Sequence, residues 1–369
     1  MKKVLVLTSS RADFGIYLPL LKKMEGSKNI ELSILAFGTH LSKFHGYTID
    51  EITQAGFEVE YRVSSLVLGD TAGDIANSYA LTAQKFADFW SLHSNDFNLV
   101  FVLGDRFEMA AAVAAGIPFN INFAHIHGGE TTLGAIDNIY RHSISLASKW
   151  HFVALPEFKS RLESNLDSKE NIYTVGALSL DNIKEIPLLS LDEFHHKWEI
   201  DLNQPTILIT VHPETVALTI NESYAKELYK SLSVLGNDYQ LVITMPNADT
   251  LGSLYRAQYD KLKNDFPSRV FLIENFGTSS YFTAMKYASL MLGNTSSGII
   301  EAASFQKHVI NIGDRQKGRK AGDNVHHVNF ESEAIIKAFK EIKDNTYHGK
   351  NIYHKGDAAD QIIQVIEKL

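Results

Sequence analysis

A cluster of residues suited to proton transfer follows an apolar stretch at residues 121–125. His125, His127 and Glu130 lie within six positions, with two flexible glycines between the second imidazole and the carboxylate. Imidazoles and carboxylates are the side chains that most often act as acids and bases in enzymes. The three groups would also suit a metal ion, which is the alternative interpretation of the cluster. The cluster therefore predicts acid–base chemistry.

Three further groups suit the same chemistry. Asp105 follows a glycine at the end of an apolar stretch, where it would act as an acid or base or would cap a helix that begins near Phe107. Asp137 lies at helical spacing from Arg141. His212 precedes a proline, which holds it extended and lets its ring project from the chain, although a structural histidine is the alternative.

A loop of small polar residues predicts an anion site. Ser296, Ser297 and Gly298 follow a strand-like stretch and precede a helix that we expect to begin near Ile299. Backbone N–H groups and hydroxyls at the start of a helix bind phosphates. Glu301 is expected in the first turn of that helix, where acidic residues are favoured, or as an acceptor for a ribose diol.

Cationic residues are concentrated in a second loop after a strand-like stretch, and they are Arg315, Lys317, Arg319 and Lys320. They would neutralise a diphosphate, or they would form a solvated loop. Arg11, in the serine-rich segment after the first predicted strand, is either a further phosphate ligand or a surface residue beside a helix N-cap. That segment has no Gly-x-Gly-x-x-Gly fingerprint and the loop at 293–298 has no Gly-Lys-Ser/Thr ending, so neither a dinucleotide site nor a Walker loop is predicted.

Short apolar stretches alternate with amphipathic ones, which predicts parallel sheets covered by helices on both faces. Strands are predicted at residues 4–7, 30–37, 99–103, 121–125, 150–153, 172–175, 207–211, 240–244, 270–273, 290–292 and 309–312. The expected fold is α/β, with two Rossmann-like doubly wound domains facing one another across a cleft. The expected boundaries are a first domain at 1–178, a linker at 179–204, a second domain at 205–350 and a final helix at 351–369.

The composition of the chain argues against several classes of protein and of functional site. The 369 residues carry a net charge of −8, and the negative balance gives no electrostatic footprint for nucleic acid. The absence of cysteine excludes disulfides, thiolate metal sites and cysteine nucleophiles. No apolar run approaches the ~20 residues of a membrane span, and no signal peptide core is visible, so a cytoplasmic location is expected.

The motifs, taken together and in order, resemble the hydrolysing UDP-N-acetylglucosamine 2-epimerases of bacterial sialic acid synthesis. The resemblance rests on Thr8-Ser9-Ser10-Arg11-Ala12-Asp13-Phe14-Gly15, Gly104-Asp105-Arg106, His125-Ile126-His127-Gly128-Gly129-Glu130, Asp137 with Arg141-His142, Val211-His212-Pro213, Gly293-Asn294-Thr295-Ser296-Ser297-Gly298 and the segment 313–319. It implies a GT-B fold whose final helix packs back on the first domain. It also implies a homodimer or homotetramer, a UDP-sugar substrate and no cofactor or metal.

The implied reaction has two steps. UDP leaves C1 as the C2 proton is removed, which gives 2-acetamidoglucal, and water then adds at C1 while a proton returns to the other face of C2. By this resemblance Asp105, Asp137 and His212 take catalytic positions. Arg141 is a substrate or carboxylate partner. The residues implied to contact UDP are Arg11, Ser296, Ser297, Glu301 and Arg315, and the loop chemistry adds Gly298 and Arg319.

One position departs from the family. Several members of the family carry Glu at the position of His127. If that Glu is an acid or base in those members, its role in this chain passes to His127 or to Glu130. The expectation is that Glu130 acts as the carboxylate and that His127 assists it, since an imidazole also transfers protons near neutral pH.

Three other functions are considered beside the conversion of UDP-N-acetylglucosamine to N-acetylmannosamine. The first is the same reaction on UDP-2,4-diacetamido-2,4,6-trideoxyglucose, for legionaminic acid synthesis. The second is a GT-B glycosyltransferase, which shares the diphosphate loop but has no evident need of the cluster at 125–130. The third is a nucleotide-sugar sensor, which would bind without turnover and tolerate Asp105→Asn.

Overall fold

Strands and helices alternate along the chain. The computed structural model describes residues 1–246 and 251–369. Its strands are β1 (Lys2–Thr8), β2 (Ile30–Phe37), β3 (Tyr61–Val63), β4 (Leu99–Leu103), β5 (Phe123–Ile126), β6 (Trp150–Val153), β7 (Ile172–Thr174), β8 (Thr206–Thr210), β9 (Gln240–Thr244), β10 (Val270–Ile273), β11 (Leu290–Gly293), β12 (Val309–Ile312) and β13 (Val325–Val328). Its α-helices are α1 (Arg11–Gly26), α2 (Ile49–Gln54), α3 (Ala72–His93), α4 (Phe107–Gly116), α5 (Asp137–Ala147), α6 (Pro156–Leu166), α7 (Asn182–Glu185), α8 (Leu191–Trp198), α9 (Asn221–Leu235), α10 (Gly252–Asp265), α11 (Gly277–Tyr287), α12 (Ser296–Ile300), α13 (Ser332–Ile342) and α14 (Ala358–Lys368).

The chain forms two units, and neither is a single stretch of sequence. The first unit consists of Met1–Glu130, Asp137–Asn182 and Tyr353–Leu369. The second consists of Thr131–Ile136 and Ile183–Ile352. The segment 179–204, expected as a linker, is divided between the two units. The assignment of residues 131–136 to the second unit has no counterpart in the sequence analysis.

The first unit is built on a parallel sheet in the order β3-β2-β1-β4-β5-β6-β7. Its central strands are apolar on both faces because helices cover both, and all five residues of β4 are buried. The strand order changes direction between β1 and β4. In open α/β sheets ligands bind beyond the carboxyl ends of the strands at such a point, and there the chain carries Arg11 and Asp105.

The second unit repeats this plan with a parallel sheet in the order β10-β9-β8-β11-β12-β13. Here the order changes direction between β8 and β11. His212 follows β8, and Ser296 follows β11. The second group of predicted ligand residues therefore also lies at a switch point.

The last helix completes the core of the first unit. Ile362 and Ile366 of α14 are fully buried in one apolar cluster with Tyr17 of α1 and strand residues of the sheet. The carboxylate of Asp181 accepts hydrogen bonds from the backbone N–H groups of Ala358 and Ala359, at 3.2 and 2.8 Å. These are two of the N–H groups that the start of a helix leaves without a partner.

Every predicted strand is present to within two residues at either end, and the α/β fold class with two doubly wound parallel sheets is confirmed. β3 and β13 were not predicted. Both are edge strands of three or four residues in which most side chains are half-exposed or exposed, so they carry no buried apolar run. Within residues 1–246 and 251–369, every helix is too short or too polar to traverse a bilayer.

Candidate active site

Asp105 lies just beyond β4 in the first unit and forms an ion pair with Arg141 of α5. Arg141 is buried, whereas the Asp105 side chain retains 27% of its exposure. The N-cap of α4 is Arg106, so Asp105 does not cap that helix as the alternative interpretation allowed. Asp137 begins α5, and Arg141 follows one turn later on the same face. A partly exposed carboxylate aligned by a buried guanidinium is suited to proton transfer.

His127 and Glu130 form a second acid–base group beyond β5, the strand beside β4. The Nδ1 atom of His127 lies 2.8 Å from Oε1 of Glu130. His127 has a left-handed backbone (φ 65°) and lies after the end of the strand. Gly129 also has a positive φ, and a Cβ there would lie 2.5 Å from the carbonyl oxygen of Phe158, so only glycine fits. The loop thus turns an imidazole–carboxylate pair toward the strand ends.

His125 is a structural residue and does not join this pair. Its Nε2 donates to the carbonyl oxygen of Gly104 at 2.8 Å, and its Nδ1 accepts from the Ser145 hydroxyl at 2.9 Å. Burial lowers the pKa of His125 to about 3, so the ring is neutral. The acid–base chemistry predicted for the cluster therefore does not extend to His125. Among the described residues no group of three or more histidine, aspartate or glutamate side chains is arranged to hold a metal ion.

The segment before Arg11 is held by a buried hydrogen-bond network. Asp13 accepts from the backbone N–H and hydroxyl of Ser9 at 2.9 and 2.6 Å, and from the Ser10 hydroxyl at 3.0 Å. Ser10 is the N-cap of α1. His40 bonds the Thr8 hydroxyl at 2.9 Å through Nε2. Arg11 is the first residue of α1 and is half-buried, so the N-cap interpretation and a ligand role for Arg11 are compatible.

Acidification is expected to destabilise the first unit through His40. Burial lowers the pKa of His40 to about 4, from an ordinary value of 6.5. Between these values the unfolded chain binds a proton that the folded chain excludes. The free energy of unfolding therefore falls with decreasing pH, by about 1.4 kcal/mol per pH unit for this group. Urea unfolding of His40→Gln from about pH 7 to about pH 4.5 should show a shallower decline than wild type. The same substitution at exposed His195 should keep the wild-type slope, and equal slopes for all three proteins would contradict the prediction.

The four predicted cations of the loop after β12 differ in their burial. Arg315 and Arg319 are half-buried, whereas Lys317 and Lys320 are exposed. Lys317 forms an ion pair with Asp314 at 3.0 Å. The Nε of Arg315 donates to the carbonyl oxygen of Pro213 at 3.3 Å. The arginines are therefore the candidates for a diphosphate, and the lysines belong to the solvated side of the loop.

The loop after β11 differs from the expectation in where its helix begins, which was expected near Ile299, and in the place of Glu301. Its helix, α12, begins at Ser296 and has only five residues, and Thr295 caps it by accepting from the N–H of Ser297 at 3.4 Å. Glu301 therefore stands at the end of α12, and its expected place in the first turn is wrong. A carboxylate at that end has no favourable interaction with the helix dipole. Glu301 is nevertheless buried, which keeps it a candidate for a specific ligand contact.

The position of His212 depends on a residue that the sequence analysis did not single out as functional. The Oδ1 atom of Asn294 accepts from the backbone N–H of His212 at 2.7 Å, and Nδ2 of Asn294 donates to the His212 carbonyl at 2.9 Å. His212 is buried and Asn294 is fully buried. Asn294 follows β11 directly, but its role is visible only in these contacts.

Residues 131–136 also went unrecognised, although they contact the cationic loop within the second unit. The N–H of Leu133 donates to the carbonyl oxygen of Lys317 at 2.9 Å, and the N–H of Ile136 donates to the Thr215 hydroxyl at 2.8 Å. A Cβ on Gly134 would overlap the carbonyl oxygen of Asp314 and lie 2.7 Å from Cα of Arg315. This close approach supports the loop that carries Arg315.

If the arginine loop binds the diphosphate of UDP, as the resemblance implies, Gly134→Ala is expected to raise the Kd for UDP by roughly tenfold. The new methyl group meets two backbone atoms that cannot rotate away, so the loop must shift, and overpacking of this kind costs about 1–3 kcal/mol. Titration calorimetry with UDP measures the effect. Gly26→Ala is the control, because a Cβ there meets nothing within 4 Å. Equal affinities in the two variants would show that the contact does not support the arginine loop.

The fold agrees with a comparison to known proteins. The model of the UDP-N-acetylglucosamine 2-epimerase family matches residues 22–367. The chain belongs to this family. A hydrolysing GDP/UDP-N,N'-diacetylbacillosamine 2-epimerase of Campylobacter jejuni is a 32% identical member, and the match covers 94% of this chain and 88% of that protein. The polysialic acid biosynthesis protein P7 of Escherichia coli is 30% identical, over 100% of this chain and 94% of that protein.

Solved structures of the epimerase family support the same fold. The UDP-GlcNAc 2-epimerase of Neisseria meningitidis, bound to UDP-GlcNAc, superposes with a TM-score of 0.83 at 18% identity and covers 100% of both chains. A second, from Listeria monocytogenes, gives a TM-score of 0.81 at 17% identity, over 100% of this chain and 96% of that chain. The fold of these structures agrees with the two Rossmann-like units of this chain, and the GT-B class of the fold is confirmed.

Proposed function

We propose that this protein is a hydrolysing UDP-N-acetylglucosamine 2-epimerase that produces N-acetylmannosamine and UDP. One observation carries the proposal beyond family membership. Two separate acid–base groups, Asp105 with Arg141 and His127 with Glu130, follow the neighbouring strands β4 and β5. Inversion at a carbon requires a proton to leave one face and another to arrive at the opposite face. Two positioned groups fit that requirement, whereas simple hydrolysis needs no proton transfer at C2.

The reaction balances without an oxidant or reductant. In the first step a base takes the C2 proton, the C–H electron pair forms the C1–C2 double bond, and the C1–O bond breaks with its electrons on UDP. In the second step water supplies hydroxide to C1 and the double bond takes a proton at C2 from the other face. The product is a free sugar with the manno configuration.

Within the second group, the geometry favours His127 as the proton carrier and Glu130 as its partner. Glu130 is fully buried, and its Oε1 is engaged by Nδ1 of His127. The ring atom of His127 that Glu130 does not engage is Nε2. A buried carboxylate that orients an imidazole through one nitrogen leaves the other nitrogen to exchange protons. This assignment reverses the roles expected from the sequence.

The departing UDP carries negative charge, which cations and hydrogen-bond donors stabilise. We propose that Arg315 and Arg319 neutralise the diphosphate, assisted by Ser296, Ser297 and the N–H of Gly298, with Arg11 as a further phosphate ligand. Glu301 is proposed to accept from the ribose hydroxyls. Asp137 and His212 are proposed as further catalytic groups, because the family motif has them at these positions. Preorganised donors stabilise negative charge as it develops on the departing UDP.

A diacetamido-trideoxy sugar is the second candidate substrate. Two relatives, from Campylobacter jejuni and Legionella pneumophila, are named as N,N'-diacetylbacillosamine 2-epimerases and are 32% and 31% identical to this chain. Both substrates share the reacting C1 and C2 and differ at C4 and C6. The proton chemistry proposed above is therefore the same for either.

Proton NMR in D2O with UDP-N-acetylglucosamine, without added metal or NAD, tests the proposal. The expected products are UDP and free N-acetylmannosamine with deuterium at C2, since the proton delivered to C2 comes from solvent. Release of UDP with unlabelled N-acetylglucosamine would instead indicate a hydrolase or an idling glycosyltransferase. If UDP-N-acetylglucosamine does not react, the experiment is repeated with UDP-2,4-diacetamido-2,4,6-trideoxyglucose. Turnover of this sugar would identify it as the substrate. A protein that binds UDP but turns over neither sugar would be a nucleotide-sugar sensor.

We further propose a cytoplasmic homodimer or homotetramer with no nucleic-acid or membrane partner. The net charge of −8 supports the absence of a nucleic-acid partner. Light scattering of the purified protein distinguishes the two oligomers from a monomer.

A further inference from the structure

Asn294 is bound to His212 in a way that ordinary sheet pairing does not provide. The last paired residues of β8 and β11 are Thr210 and Gly293, and the N–H of Asn294 donates to the carbonyl oxygen of Thr210 at 3.1 Å. Beyond this point the side-chain amide of Asn294 replaces the backbone. It accepts from the N–H of His212 and donates to the carbonyl of the same residue, at 2.7 and 2.9 Å. The side-chain amide thus takes the place of the backbone groups that would pair with His212 if β11 continued.

The next residue restricts His212 without fixing its place beside β11. Pro213 has no N–H and therefore adds no backbone donor on the other side of the chain, where the carbonyl oxygen of Pro205 accepts from the N–H of Gln240 of β9. The ring of Pro213 also restricts His212 to extended conformations but leaves its position relative to β11 undetermined. A side-chain amide that binds both polar groups of His212 fixes this position. Asn294 is fully buried, so water does not compete for these hydrogen bonds.

The same residue links His212 to the two loops that carry the proposed diphosphate ligands. Asn294 begins the loop that leads to Ser296 and α12. Its carbonyl oxygen accepts from Nε2 of Gln316 at 2.9 Å, and Oε1 of Gln316 accepts from Arg319 at 3.0 Å. The loops after β8, β11 and β12 are therefore connected through one asparagine.

We infer that Asn294 is a positioning residue that aligns His212 with the nucleotide-binding loops during turnover. The inference rests on the proposed function, because it takes His212 as a catalytic group. Both polar atoms of the Asn294 amide are engaged by His212, so we assign it no direct part in the chemistry. Its contribution should therefore appear in kcat through His212, while the binding of UDP depends mainly on the arginines.

Asn294→Asp is the main test, because it preserves shape and the acceptor for the His212 N–H but removes the donor to the His212 carbonyl. We expect kcat to fall by about 10- to 100-fold, with KM and the Kd for UDP within about threefold of wild type. Asn324→Asp is the matched control. Asn324 is also a fully buried asparagine of the second unit, but its Nδ2 donates to Lys307, so kcat should change by less than about threefold.

A double-variant measurement separates positioning from general damage. If Asn294 acts through His212, Asn294→Asp should lower kcat by less than about twofold when His212 is already glutamine. Multiplicative losses in the double variant would overturn the inference, as would an unchanged kcat in Asn294→Asp. Should the buried carboxylate prevent folding, as circular dichroism would reveal, neutral Asn294→Ala is measured in the same cycle with the same expectations. If the wild-type protein turns over neither UDP-sugar, the proposed function and this inference are both overturned. If the wild type turns over a UDP-sugar but the losses in the double variant are multiplicative, only the inference is overturned.

Discussion

Asp105→Asn is expected to lower kcat for the UDP-sugar by about 10²- to 10⁴-fold and to leave the Kd for UDP within about threefold of wild type. Asparagine keeps the shape of the side chain but cannot take or deliver the proton. UDP affinity should persist because the proposed diphosphate ligands Arg315 and Arg319 belong to the second unit. Steady-state kinetics and titration calorimetry with UDP measure the two quantities.

Glu108→Gln is the matched control for Asp105→Asn. Glu108 is a buried carboxylate of α4, three residues further along the chain, and it accepts from Arg106 at 2.9 and 3.2 Å. Glu108→Gln breaks a carboxylate–guanidinium pair like that of Asp105 and Arg141, but one that lies outside the proposed acid–base groups. We expect a lower unfolding temperature but a kcat within about threefold of wild type. Equal losses of kcat in both variants would mean that Asp105 acts only by supporting the structure.

The second large effect is expected at the imidazole–carboxylate pair. His127→Gln and Glu130→Gln should each lower kcat by about 10²- to 10⁴-fold, and the double variant should be no slower than the slower single variant. This lack of additivity follows if Glu130 acts only by orienting the ring of His127. Incorporation of deuterium at C2 should fall in step with kcat, because the same group handles the C2 proton.

His151→Gln is the control for this pair. His151 is a buried histidine of β6 in the same sheet, and burial lowers its pKa to about 4. Its replacement should reduce stability while kcat stays within about threefold of wild type. The assignment of His127 fails if Glu130→Gln is slow but His127→Gln is not, because Glu130 would then carry the proton itself.

Much of this architecture could be predicted because buried parallel strands leave a strong signal. β4 is a run of five buried apolar residues, and the position of Asp105 beyond it followed from general rules of α/β sheets. β3 could not be found in the same way, since an edge strand of three residues, none of them buried, has no distinctive periodicity.

The candidate site was predictable in its residue types but not in its pairings. Nothing in the spacing of Asp105 and Arg141 specifies an ion pair, because it depends on how α5 packs beside β4. The different roles of His125 and His127 depend on the left-handed backbone of His127 just after β5, which the sequence did not predict. Asn294 and Gly134 bear no chemical reactivity, so only their contacts reveal them.

The course of folding during synthesis follows from the discontinuity of the first unit. Ile362 and Ile366 of α14 are made after the whole second unit, yet they are buried against α1 and the first sheet. On the ribosome, the nascent first unit must therefore expose the apolar groove that α14 later covers. Domains generally fold as they emerge, and exposed apolar surface in an incomplete domain favours aggregation. The second unit has its complete sequence first and is the one able to finish folding while the first still awaits its last helix.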